Sequence, residues 1–429
     1  MIFRFSLYGF LKNQQYYEPF LVLAFLEKGL SFFQIGILIG FREVCINVFE
    51  IPSGALADVW GRRRAMVLSF SSYIVSFVLF WLVESYAALF AAMFFYGLGD
   101  AFRTGTHKAM ILDWLAEQGR LKEKTRVYGI TRSWSQVGSA VSVLIASALV
   151  FRTGRYSDVF IYCVIPYVVG LVNVSLYPKE LEGKGEGRFS VGGIYRMTLA
   201  AFGRTLRRGR LRRLLLESLG FQGLYKATKD YLQPVLKALA LGLPVLLALE
   251  DAQRAAVVVG AAYFLLYVFN GLASWQSARV AHMLGKEDED RAARALWGAA
   301  AAGFAVLAVA LWADRALAAV CLFLAVGAIE NLWRPLQLGR IASSAEADKT
   351  ATILSVESQA VSAFAAVAAP LLGLGVDLLK RGLPVDAPPS VMPFLPVALA
   401  GLAVSAAALL LPAPEPEGKA VATGGEGGE

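Results

Sequence analysis

The residues of this chain best placed to do chemistry are ionisable side chains set deep inside apolar stretches. They are Glu18, Arg42, Glu43, Asp100, Arg103, Arg132, Lys226, Asp230, Glu330, Arg334 and Glu357, with the polar Asn270 among them. A charged side chain at the centre of a hydrocarbon layer costs roughly 2.5–3.5 kcal/mol on insertion scales, so it faces a wet cavity or a partner. Helical spacing groups these residues. Asp100, Arg103 and His107 follow i, i+3, i+7 and share a face, as do Glu43, Asn47 and Glu50. Glu330 with Arg334, and Lys226 with Asp230, stand four apart and also share faces. Buried carboxylates serve as proton relays, which makes Asp100, Glu330, Glu18 and Glu357 candidate proton carriers. Acids and bases are nearly balanced in this set, which suits a polar, charged or zwitterionic small solute better than a greasy cation. Tyr16, Tyr17, Gln14, Tyr225, Gln222 and Trp333 are neighbours able to shape a pocket. The competing reading makes the charges internal salt bridges. A fully buried pair is poor stabilisation, so that reading does not account for all of them.

Side chains so placed require apolar helices to carry them. The 429 residues are 57% hydrophobic and 17% charged, against roughly half and a quarter in soluble domains. The excess gathers in runs of roughly 20 residues, the length that crosses about 30 Å of hydrocarbon. Backbone amides in lipid are satisfied only within their own segment, so such runs are helices. The alternating segments of a barrel are absent. The expected spans are 3–26, 31–57, 66–83, 86–116, 127–150, 158–177, 211–240, 255–280, 293–312, 316–342, 350–378 and 391–411. The longest apolar stretch, 211–250, could hold a span plus a surface piece.

A formal net charge of +8 would suggest nucleic acid in a soluble protein. Here topology explains it, and no nucleic-acid partner is expected. On one side the loops and tail hold the Lys and Arg of Arg62–Arg64, 117–126, 178–213, 279–294, 340–349 (Arg340 among them) and Lys419, whereas the alternate loops hold Lys28, Arg152, Arg155, Arg254, Arg315, Lys380 and Arg381. The positive-inside rule then puts both termini in the cytoplasm, in a multi-pass chain of the cytoplasmic (inner) membrane. The first apolar run has no small-residue cleavage site and reads as a retained span. Cys45, Cys163 and Cys321 lie in apolar runs and read as small core hydrophobes. His107 and His282 are too few for a histidine metal site.

The chain also repeats itself weakly and in order. Gly9-Phe10-Leu11-Lys12 is echoed by Gly223-Leu224-Tyr225-Lys226, Glu18-Pro19 by Gln233-Pro234, the loop around Gly61 by Ala281–Lys286, Asp100 and Arg103 by Glu330 and Arg334, and Lys124-Thr125 by Lys349-Thr350. Such a repeat predicts two pseudo-symmetric six-helix bundles, 1–177 and 211–411, related by an axis along the membrane normal. Between them, 178–210 alternates Gly183, Gly185 and Gly187 with Lys184, Glu186 and Arg188. Arg196, Arg204, Arg207, Arg208 and Arg210 then follow among apolar residues. This is either a cytoplasmic linker ending in a basic surface helix on anionic headgroups or a solvated charged linker. The tail 412–429, rich in Gly, Glu and Pro, reads as disordered.

Between the second and third spans stands Gly54-Ala55-Leu56-Ala57-Asp58-Val59-Trp60-Gly61-Arg62-Arg63-Arg64-Ala65-Met66. It resembles the signature loop of the major facilitator superfamily, G-x-L-A-D-x-x-G-R-[RK]-x-x-apolar, with Val59 where a basic residue is usual. Glu27–Gly36 resembles the family too, and its Ser31 and Gln34 form a capping box opening the second span. The resemblance implies that family's all-α fold of twelve transmembrane helices over residues 1–411. It also implies a central site lined by spans 1, 4, 7 and 10, where Asp100, Arg103, Glu330 and Arg334 take equivalent places. In the family this loop latches one state, which would set Arg62 against Asp113 and Asp58 near the second bundle. Gly54 and Gly61 would allow close packing and a tight turn, and Arg63 would anchor that turn. The competing reading of Arg62–Arg64 is a topology anchor alone.

The function expected is a secondary active transporter. It would move a small polar solute by alternating access, would be coupled to a proton gradient, needs no cofactor and acts as a monomer. The alternative is a multidrug/proton antiporter. Many such antiporters carry a Gly-Pro pair in the fifth span, and Gly129–Gly138 has none. No HExxH, P-loop or paired catalytic His is present, so neither an enzyme nor an ATP-driven pump is expected. Asp58→Asn should cut transport while expression holds, measured as uptake per membrane-inserted protein; unchanged uptake removes the latch role.

Overall fold

The computed structural model describes residues 1–182, 191–207, 209–245, 247–286, 288–345, 350–384 and 388–411. The 183–188 alternation, Arg208, Lys349 and the tail 412–429 lie outside the described residues, as does the side chain of Arg204. Among the described residues the chain is all-α, with no strand.

The first expected span is broken. α1 (Ile2–Lys12) ends at Asn13, and a 3-10 turn at Glu18–Phe20 leads into α2 (Leu21–Glu27). Pro19 offers no N–H for a continuing helix. Side-chain amides satisfy the carbonyls around the break: Asn13 Nδ2 donates to Gly9 O and Ser135 O, both at 3.0 Å, and Gln14 Nε2 to Gly138 O at 3.0 Å. α3 (Phe32–Trp60) opens on the expected capping box, with Gln34 N donating to Ser31 Oγ at 3.2 Å and Ser31 N to Gln34 Oε1 at 2.9 Å. It stops at Gly61, whose φ of +113° only glycine adopts comfortably. α4 (Arg62–Leu82) follows.

The fourth expected span is also two helices, α5 (Tyr86–Arg103) and α6 (Thr106–Glu117), parted at Gly105 with φ +81°. α7 (Lys124–Thr153) and α8 (Val159–Ser175) are unbroken. α9 (Val191–Arg207) occupies the interval between the two sets of spans. The seventh run is one irregular helix rather than a span plus a surface piece. It comprises α10 (Gly209–Ser218), a π turn at Leu219–Gly223, α11 (Leu224–Thr228), a 3-10 turn at Lys229–Tyr231 and α12 (Leu232–Gly242). α13 (Asp251–Gly285), α14 (Glu289–Trp312), α15 (Ala316–Ser344), α16 (Thr350–Arg381) and α17 (Leu395–Leu410) complete the chain. Eight helices among the described residues are long and apolar enough to cross a membrane, and α8 is a shorter apolar helix. The pieces of the interrupted runs α1–α2, α5–α6 and α10–α12 are not among them; α5, the longest, has 18 residues but carries Asp100 and Arg103.

Apart from α3 and α16, helices α1 to α8 pack chiefly on one another, and so do α10 to α17. Two long crossings join these groups: α3 on α16, and α7 on α13. The first is a contact between backbones. A Cβ on Gly36 would lie 2.5 Å from Ala369 O, and one on Gly40 would lie 2.5 Å from Ala366 O. Asp377 of α16 also caps α3, accepting from Phe32 N at 3.1 Å and Phe33 N at 2.8 Å. Beside it Gln233 joins the groups, accepting from Val22 N at 2.7 Å and donating to Glu18 O at 2.9 Å. Gln253 Nε2 of α13 donates to Phe151 O of α7 at 3.2 Å. These contacts gather at the face that carries Gly29 and Gly154.

Toward the face carrying Gly61 the glycines of these helices make no such contact. A Cβ on Gly54, Gly129 or Gly271 would meet no atom within 4 Å. Gly54 therefore does not provide the close helix packing expected of it. Gly36→Ala should destabilise the protein by about 1–3 kcal/mol through overpacking, whereas Gly129→Ala should not; thermal unfolding of the two variants in detergent measures the difference.

Candidate functional site

The breaks in α1–α2 and the irregular α10–α12 run bring charges together at the seam between the two groups. A cavity of about 140 Å³ there is lined by Glu18, Arg42, Glu43, Asp100, Lys226 and Asp230 from the expected set, and by Lys229 in addition. Glu43 is 0% exposed. Arg42 Nη2 lies 2.9 Å from its Oε1, and Lys226 Nζ, from the other group, lies 2.5 Å from its Oε2. Lys226 also donates to Ser362 Oγ of α16 at 2.9 Å, and the Arg42 guanidinium lies 5.6 Å from the centre of the Tyr96 ring.

A second bridge crosses the seam beside the first. Lys229 Nζ lies 3.4 Å from Glu18 Oε1 and 3.0 Å from Asp230 Oδ1, while Tyr267 OH donates to Glu18 Oε2 at 2.7 Å. Lys226 and Asp230 are thus not each other's partners, although they share a helix face. Lys226 pairs instead with Glu43 of the other group, and Asp230 with its chain neighbour Lys229.

Asp100 is held by Arg103 and by Tyr73 of α4, whose hydroxyl donates to Asp100 Oδ1 at 2.7 Å; Arg103 Nε donates to the same hydroxyl at 3.2 Å. His107 does not continue this face, because the helix breaks at Gly105. It stacks on Tyr8, ring centres 3.6 Å apart, with its Nε2 3.2 Å from Tyr177 OH.

In the other group Glu330 accepts from Gln222 Nε2 at 3.4 Å. It lines a cavity of about 240 Å³ with Glu18, Tyr225, Lys229, Tyr267 and Asn270. Asn270 Oδ1 is buried there with no hydrogen-bond partner among the described residues. Arg334 turns away from Glu330 and forms a two-point pair with Glu357 of α16, one bond at 3.0 Å. Trp333 is no pocket wall: it is 0% exposed and stacks on Phe221 at 4.8 Å. Arg132 lies apart from these groups, beside a third cavity of about 510 Å³ between α1, the α5–α6 break and α7.

The loop at Gly61 is tied within its own group. Arg62 pairs with Asp113, and its Nε donates to Asp58 Oδ1 at 3.0 Å. Arg63 Nη1 donates to Tyr177 O at 3.2 Å, and Arg64 Nε lies 3.0 Å from Glu182 Oε1. Asp58 does not reach the second group here; Arg62 is its partner.

Sequence reasoning missed Lys229, Tyr73 and Tyr267. It also counted Arg340 as a loop charge. Arg340 is 0% exposed and lies 2.5 Å from Glu217 Oε2 and 2.8 Å from Asp290 Oδ1, with Arg213 Nε 2.8 Å from Glu217 Oε1. The signal that could have found it is the clustering of these charges at the ends of the seventh, ninth and tenth runs. Cys45 and Cys163 are buried, but Cys321 is exposed and is not a core residue. Among the described residues no group of His, Cys, Asp and Glu could hold a metal.

A family model described as Major Facilitator Superfamily matches residues 13–370. The chain is 25% identical over 163 residues to the uncharacterized MFS-type transporter YxaM of Bacillus subtilis (strain 168), covering 38% of this chain and 39% of that one. It is 28% identical over 144 residues to the vesicular acetylcholine transporter of Homo sapiens, covering 34% and 25%. It therefore spans less than two fifths of the length of either relative. Among solved structures, nucleoside transporter NupG superposes with a TM-score of 0.75 at 11% identity, over 95% of this chain and 98% of that one. A POT family transporter in complex with 5-aminolevulinic acid gives 0.69 at 14% identity over 95% of each. These likenesses show the fold.

In a double-mutant cycle, Arg334 and Glu357 should couple by about 0.5–3 kcal/mol, and Arg334 and Glu330 by less; thermal unfolding of the single and double variants decides the order.

Proposed function

We propose, for a chain that belongs to the Major Facilitator Superfamily and so is a membrane transporter, that it is a secondary active carrier of a small polar solute, worked by alternating access and coupled to protons. The observation that carries this reading is the pair of ion bridges across the seam, Glu43 with Lys226 and Glu18 with Lys229. Each joins a carboxylate of one helix group to a lysine of the other. A proton on either carboxylate removes its half of the attraction across the seam, while Lys226 keeps Ser362 and Lys229 keeps Asp230 on their own side. Closure of the seam then depends on whether the carboxylate holds a proton or the cavity holds a solute. That dependence is what coupling requires, because a ligand shifts a two-state equilibrium only through unequal binding to the two states.

On this reading 1–177 and 211–411 are two six-helix bundles, giving twelve spans, and 178–210 links them. With the basic loops inside, both termini are cytoplasmic and the face carrying Gly61 lies inward. The carrier sits as a monomer in the cytoplasmic membrane, needs no cofactor beyond the proton gradient, and binds no nucleic acid.

The second reading, multidrug/proton antiport, draws support from the vesicular acetylcholine transporters among the relatives, whose cargo is a cation. Against it stand a cavity in which acids and bases face each other and an α7 with no proline inside it.

Proteoliposomes with an imposed pH gradient test coupling. Wild-type protein should accumulate solute only with the gradient. Glu43→Gln should lose accumulation yet keep solute exchange. Equal accumulation with and without the gradient overturns proton coupling.

A further inference from the structure

We infer that the transported solute bears a carboxylate or phosphate group, and that this group docks on Lys12, Lys108 and Arg132 in the cavity between α1, the α5–α6 break and α7. The inference deepens the carrier reading and rests on it.

Charge is sorted among the cavities. The 140 Å³ cavity sets Glu18, Glu43, Asp100 and Asp230 against Arg42, Lys226 and Lys229. The 240 Å³ cavity sets Glu18 and Glu330 against Lys229. The charged lining of the 510 Å³ cavity is Lys12, Arg103, Lys108 and Arg132, all positive. Asp100 neutralises Arg103. Lys12, Lys108 and Arg132 have no carboxylate partner among the described residues.

The fold gathers these cations by a specific device. On a continuous helix Arg103 and Lys108, five residues apart, would point about 140° away from each other. The break at Gly105 lets both line one cavity. On α7, Tyr128, Arg132 and Gln136 follow i, i+4, i+8 and share the facing surface, and α1 adds Tyr8 and Lys12. α1 and α7 are tied beside the cavity, where Asn13 Nδ2 donates to Ser135 O at 3.0 Å and a Cβ on Gly9 would lie 2.7 Å from Ser135 Oγ. Like charges held in a partly enclosed space raise the local concentration of anions. Arg132 offers a planar fork that matches a carboxylate or phosphate at two points, and the lysines add compact charge.

The test uses the full chain in nanodiscs, with calorimetric titration of succinate, inorganic phosphate, choline and glucose. Succinate or phosphate should bind, and Arg132→Gln and Lys12→Gln should each weaken that binding about tenfold. Arg152→Gln, at the opposite face, should leave it unchanged. Binding of choline or glucose alone, or anion binding indifferent to the two substitutions, overturns the inference. So does a thermal shift from phosphatidylglycerol nanodiscs over phosphatidylcholine ones with no response to soluble anions, which would assign the cations to lipid headgroups. Flux separates this inference from the reading beneath it. Choline or glucose crossing proteoliposomes without anion binding refutes the anion site and leaves the carrier. Anion binding at Arg132 with no solute crossing upholds the site and refutes the carrier.

Discussion

A charge taken out of water needs a counter-charge, and in this protein a buried carboxylate and a half-buried one find theirs across a seam between helix groups. Glu43, sealed from solvent, has Arg42 on its own helix and Lys226 from the far side. Glu18 has Tyr267 and Lys229, both from the far side. Breaking a buried pair by removing one partner leaves a charge with nothing to balance it, a loss larger than the pair itself contributes. The two groups are thus held together by ion pairs as well as by the packing of α3 on α16 and α7 on α13. A structure that needed only stability would be better served by apolar residues at these positions.

The irregular helices follow from the same constraint. Broken backbone within an apolar layer is tolerated only where freed amides find partners or line a cavity. α1 breaks just before Glu18, α5 gives way to α6 just after Arg103, and the π turn at Leu219–Gly223 precedes Lys226 and Lys229. Each interruption sits beside a charge in a cavity wall. Asn13 and Gln14 supply the missing donors at the first, and Gly105 supplies a backbone that no larger residue adopts easily at the second. The unbroken helices, α3 and α16 above all, serve instead as packing surfaces.

The seam closes at one face because the side chains there are absent. Gly36 and Gly40 admit the backbone of α16, and Asp377 fixes the end of α3. At the other face Gly54 meets nothing, and the Gly61 loop binds inward to Asp113, Tyr177 and Glu182 rather than across to α16. The loop is thus a rigid corner of one helix group in this conformation.

Much of this was legible in the sequence. A charge inside an apolar run is visible in one dimension, so Glu18, Glu43, Asp100 and Lys226 could be named before any fold was known. The Ser31–Gln34 cap and the ordering of helices and loops are likewise local properties. Partnership was not legible. Spacing along one helix paired Glu330 with Arg334 and Lys226 with Asp230, yet Arg334 went to Glu357 and Lys226 to Glu43. Lys229 was passed over because it lies off the face expected of an unbroken helix, and Trp333 and Gly54 were given roles their surroundings do not allow. Periodicity fixes which residues share a helix face, because that depends on the pitch of one helix. Which helix lies opposite depends on packing between different segments, 23 residues apart for Arg334 and Glu357 and 211 apart for Glu18 and Lys229, and only the tertiary structure decides that.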